Sequence, residues 1–172
     1  MRSQATGPRM VDARGARVGA AISVFLLVVA FDLHRSGSPE RATILVAAVA
    51  TAMAVSAATA LRWNALSLPF QVARANGAVR PPTPDDLQPA VGLRIAQALG
   101  ATFLVVALAA WALGVDGLAV LLIATLASLQ ALLAITGICL ACRFYGLAVW
   151  FDRRRSPQGT PPLATQRIRI QR

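Results

Sequence analysis

Four long, nearly uncharged apolar stretches constrain this chain more than anything else in it: residues 18–33, 42–61, 95–113 and 118–142. A bilayer core about 30 Å thick needs about 20 apolar residues of helix, each rising about 1.5 Å. A soluble domain would break the same residues into short amphipathic pieces. Here the charged residues amount to only 14% of the chain, against about a quarter in a soluble domain. The pattern predicts an all-α fold, a polytopic membrane protein of four transmembrane helices. The first stretch, Val18 to Leu33, is short, and carries Asp32 and His34 at its far end. The second, Ala42 to Leu61, is bracketed by Arg41 and Arg62, with Trp63 placed where an interfacial ring would sit.

Gly114-Val115-Asp116-Gly117 and Ser36-Gly37-Ser38-Pro39-Glu40 read as tight turns, so the spans pair as two helical hairpins. The division that follows is a cytoplasmic N-terminal segment 1–17, a four-helix transmembrane domain 18–145, and a basic, disordered cytoplasmic tail 146–172. Between the hairpins, Leu66, Leu68, Phe70 and Val72 predict an interfacial amphipathic segment, and Pro81 to Asp86 a polar loop. Phe25 to Ala30 resembles Phe103 to Ala107, but apolar helices resemble one another by composition alone, so this does not establish duplication.

All 17 Lys and Arg residues are arginine, and only Arg35 and Arg41 fall elsewhere than before the first stretch, between the second and third, or after the fourth. The positive-inside bias predicts a plasma-membrane protein with both termini cytoplasmic. Val28-Val29-Ala30 would also pass as a signal-peptide cleavage site, but the arginine distribution favours retention of the first span. The arginines flank apolar blocks instead of gathering with stacking aromatics, which points to the lipid bilayer and away from nucleic acid. No Asp, Glu, Lys or Arg lies deep inside a span, which argues against an ion-coupled carrier.

Chemistry is suggested by Cys139-Leu140-Ala141-Cys142, the only two cysteines, at the spacing used for dithiol redox. Placed at the end of the fourth helix, they share a face at a separation that a disulfide accepts. A dipole disfavours thiolates at a helix end, and Arg143 offsets this in part. The rival reading is of two small residues that only pack. Thr125 and Ser128 could continue their stripe and aim the pair into the bundle, although such hydroxyls usually bond within their own helix. Gln97 and Gln130 read as glue between helices, His34 as a solvated turn residue, and Arg153-Arg154-Arg155 as a topology anchor. No metal site is expected, since the sole histidine lies on the opposite side, and no cofactor motif occurs. A homo-oligomer stays open.

Several pieces resemble a bacterial, largely actinobacterial, family of small membrane proteins labelled only as a domain of unknown function. They are Val11-Asp12-Ala13-Arg14, Leu68-Pro69-Phe70, Arg94-Ile95-Ala96-Gln97 and, most specifically, Thr136 through Tyr145 around the two cysteines. Family members often have glycine where this chain has Ala141. They tend to be encoded near thioredoxin-like proteins and sulfurtransferases, so the resemblance implies thiol or sulfur chemistry at Cys139 and Cys142 with such a cytosolic partner. Quinone-linked thiol oxidoreductases of the vitamin K epoxide reductase type also carry Cys-x-x-Cys on a membrane helix, but this chain lacks their second cysteine pair. A non-catalytic scaffold or subunit and a small-solute carrier are the competing classes.

Overall fold

The computed structural model describes residues 10–139 together with Arg143, Phe144, Leu147 and Trp150. Four long helices dominate: α1 (Ala13–Arg35), α2 (Pro39–Ala58), α4 (Ala90–Ala112) and α5 (Asp116–Thr136), with a short α3 (Leu68–Ala75) in the linker. All four are long and apolar enough to cross a membrane, and the chain is a multi-pass membrane protein. Two hairpins form as expected, and they pack into a ring in which α1 touches α2, α2 touches α4, α4 touches α5 and α5 returns to α1. Every neighbour in that ring is antiparallel. Its outer surface presents Phe25 (67% exposed), Ile44 (69%) and Ile135 (76%), while Leu27, Val46, Met53 and Leu104 fill the centre. Large apolar side chains left this bare suit acyl chains, not water.

The boundaries shift from those expected, each for a local reason. Asp12 caps α1, accepting from the Arg14 amide at 3.0 Å, so α1 draws Arg14, Gly15 and Arg17 into its first turns. At 23 residues it is not a short span. Pro39, whose fixed φ suits the first helical turn, starts α2 early. The apolar run after Thr136 continues through Ile138, yet Gly137 adopts φ 72° and donates its amide to Leu133, ending α5 there. Cys139 therefore lies past the end of the fourth span. In the linker the amphipathic segment is α3, while the expected loop contains a short turn at Pro84–Asp86 and is followed by strand β2 (Leu87–Pro89), which pairs antiparallel with β1 (Met10–Asp12).

That ladder exposes an internal repeat. A shift of 77 residues carries β1 onto β2, α1 (Ala13–Arg35) onto α4 (Ala90–Ala112), and the start of α2 at Pro39 onto the start of α5 at Asp116. It also superposes the turn glycines Gly37 and Gly114, both at positive φ, and the buried pairs Leu27 and Leu104, Ala30 and Ala107, Val46 and Ile123, Val49 and Leu126. Val28-Val29-Ala30 falls on Val105-Val106-Ala107. The two segments thus occupy matching places in the two halves. Because α1 and α4 start at the same end, the halves are parallel repeats about an axis along the membrane normal.

The repeat also duplicates its fastenings. Arg17 donates from α1 to the carbonyls of Ala134 and Ile135 at the end of α5, at 3.2 and 3.0 Å. Its mate Arg94 donates from α4 to Ala57 at the end of α2, at 2.8 Å, and Ala57 is the mate of Ala134. Helix ends leave carbonyls unsatisfied, and a cation there also complements the dipole. Replacing Arg17 or Arg94 by methionine should each cost about 1–3 kcal/mol, read as a loss of thermal or denaturant stability of the full chain in detergent micelles. Ala60, the mate of Gly137, holds φ 50° without being glycine. Such a conformation costs an L-residue about 1–2 kcal/mol, so in the same assay Ala60→Gly should stabilise and Gly137→Ala should destabilise.

Candidate functional site

The α5 helix stops at Gly137, and Cys139 lies two residues past it, buried at 7% exposure. The amide of Arg143 donates to the Cys139 carbonyl at 3.1 Å, and Arg143, Phe144, Leu147 and Trp150 are helical. The expected placement at the close of the fourth span is corrected for Cys139. Cys142 and most of the tail at 146–172 lie outside the described residues. Thr125 and Ser128 do not aim a stripe inward, because both are exposed and bond back to Leu121 and Ala124. The buried face of α5 carries Ala119, Ile123, Leu126 and Gln130.

A cavity of about 220 Å³ opens between α4 and α5, lined by apolar side chains such as Phe103 and Leu133, with Gln130, Phe144 and Cys139 at its edge. The repeat shows what is unusual here. In the first half, Leu66 is buried at 8% and packs against the backbone of α1 at Gly19, 3.6 Å from where a Cβ would stand. The mates of Leu66 and Gly19 are Arg143 and Ala96; Arg143 is exposed, and Ala96 lines the cavity. The position filled in one half is open in the other. The mate of Cys139 itself is Arg62.

At the same end, a polar cluster ties the segment before α1 to the linker. Arg14 holds Asp12 at 2.9 Å and reaches Asp86 at 3.7 Å, Arg80 lies 3.6 Å from Asp86, and Arg74 lies 3.8 Å from Asp12. The Arg14 guanidinium bond holds the Asp12 carboxyl below the usual carboxylate range, against the opposing pull of burial. Asp86 is lowered chiefly because it accepts from the Thr83 amide and hydroxyl. At the opposite end, His34 is not a solvated turn residue. It stacks on Trp111, its own repeat mate, with centroids 4.7 Å apart and planes 13° from parallel. Nothing in the bare sequence pairs these two rings; the repeat register does.

The family model described as a domain of unknown function, DUF4395, matches residues 11–149. The chain belongs to that family. The match spans both repeats and the segment carrying Cys139 and Cys142. No curated protein and no solved structure matches the chain.

The lowered carboxyls give the cluster a pH signature. Its contribution is complete above the unfolded aspartate value of 3.8 and is lost as pH falls through the lower folded values. Amide exchange in β1 and β2, corrected for intrinsic rates, should stay slow down to about pH 4 and speed up only below it. Asp12→Asn should raise exchange at neutral pH and flatten that dependence.

Proposed function

We propose that Cys139 and Cys142 form a redox dithiol at the arginine-rich end of the bundle, exchanging a disulfide or passing sulfur with a cytosolic thioredoxin-like or sulfurtransferase protein. The observation that supports this best is the asymmetry of the repeat: a position packed by Leu66 in the first half is a 220 Å³ cavity in the second, and Cys139 borders it. The arginine bias makes this end cytoplasmic in the proposal, with both termini on that side of the plasma membrane.

The burial of Cys139 suits it to the resolving part, which leaves the entry part to Cys142 in this proposal. Cys142 is the entry thiol, whose thiolate attacks a sulfur of the partner's disulfide, breaking it, forming a mixed disulfide and releasing one partner thiolate. Cys139 then attacks the sulfur of Cys142, closing the Cys139–Cys142 disulfide and releasing the second partner thiolate. Two electrons pass to the partner, and the two protons lost by the dithiol balance those its thiolates take up.

The burial of Cys139 also favours a second reading, a non-catalytic scaffold or subunit in which the thiols only pack. Trapping in intact cells separates the two. Under the exchange reading, Cys139→Ser accumulates a mixed disulfide through Cys142, Cys142→Ser accumulates none, and the double serine variant loses the cellular activity while remaining folded. No trapped species together with an active double variant would establish the scaffold. Labelling of either thiol by a membrane-impermeant alkylating agent added outside would overturn the orientation.

A further inference from the structure

A groove of about 920 Å³ runs along the outer face of α2, past Ile44, Ala48, Thr51 and Val55, and ends at Arg62 and Trp63. A second cavity, about 390 Å³, lies inward of that end, between the start of α1 and α3. Arg62, Asn64 and Gln71 line both, so the two are halves of one site. Eleven residues separate Ile44 from Val55, about 16 Å of helix. That is about half of a 30 Å hydrocarbon core, the depth of one leaflet. Small side chains at Ala47, Ala48 and Ala52 form the trench.

The end of the groove is polar and positively charged. Among the described residues Arg62 makes no ion pair, and Arg74 has only its 3.8 Å contact with Asp12, which Arg14 already holds at 2.9 Å. Asn64 is buried at 9% exposure in the wall between the two cavities, and its Oδ1 has no hydrogen-bond partner. A buried amide oxygen left in this state calls for a donor. Trp63, 74% exposed, marks the headgroup level.

We propose that groove and cavity together hold one anionic phospholipid bearing a headgroup hydroxyl, with an acyl chain along α2, the phosphate at Arg62 and the hydroxyl donated towards Asn64. Arginine suits phosphate through its fork of donors. A free anion would leave the apolar trench unused, and a zwitterionic lipid would bring its own cation to an arginine.

The test is native mass spectrometry of the full chain in detergent, titrated separately with phosphatidylglycerol, phosphatidylcholine and inorganic phosphate. Phosphatidylglycerol should bind at least about fivefold tighter than phosphatidylcholine, the factor for one arginine at a lipid surface. Arg62→Gln should abolish that preference. Ala48→Trp, at an exposed position, should displace the lipid while leaving the thermal stability of delipidated protein unchanged. Equal binding of the two lipids, or a preference that survives Arg62→Gln, would overturn the proposal. So would inorganic phosphate binding that matches phosphatidylglycerol and is indifferent to Ala48→Trp, which would mark a soluble-anion site.

Discussion

Two arginine side chains hold the bundle closed at one end. Arg17 and Arg94 each leave the first turns of one helix and cover the last carbonyls of its ring neighbour. Near a bilayer such carbonyls cannot rely on water for partners, and a cation placed on them also faces the negative pole of the helix. Because each arginine joins one hairpin to the other, neither hairpin can slide along its partner without breaking these bonds. The core follows from that registration. Met53 lies so close to α4 that a Cβ at Gly100 would stand 2.8 Å from its sulfur, an approach that only a fixed register sustains.

Within this symmetric frame the differences between mates carry the information. Val46 and Ile123, or Val49 and Leu126, differ by atoms and are buried alike. Leu66 and Arg143 are not, since one is buried and the other exposed. Arg62 and Cys139 share a position after their helices, yet one closes a groove on α2 and the other borders the cavity between α4 and α5. A repeated fold can thus pack a position in one copy and leave it exposed in the other. The family match covers both copies.

How much of this was legible beforehand varies with the physics of each element. The four spans and two hairpins follow from long apolar runs and glycine-rich turns, signals that tertiary contacts rarely override. The end of α5 was hidden because Ile138, Cys139 and Leu140 prolong the apolar run, while the helix is ended by the backbone of one glycine. The ladder of Met10–Asp12 with Leu87–Pro89 was hidden because three-residue strands leave no periodicity to read. The repeat was half visible at Val28-Val29-Ala30, but in an apolar alphabet so restricted, register needs charged or turn residues, here Arg17 with Arg94 and Gly37 with Gly114. The cysteine pair stood out at once; that Cys139 borders a space could not, since its walls come from α4 and α5 together.

Two spans per copy has a consequence for how such a chain can arise and insert. A unit that crosses twice returns to the side it left, so its second copy enters the membrane with the same polarity as the first. Each copy then needs its own basic residue at its own start, and Arg17 and Arg94 supply one apiece. A unit of one or three crossings would have inverted its twin, setting the two arginines on opposite surfaces, where neither could reach the other's helix ends. Handedness towards the bilayer and closure of the ring thus descend from a single even number.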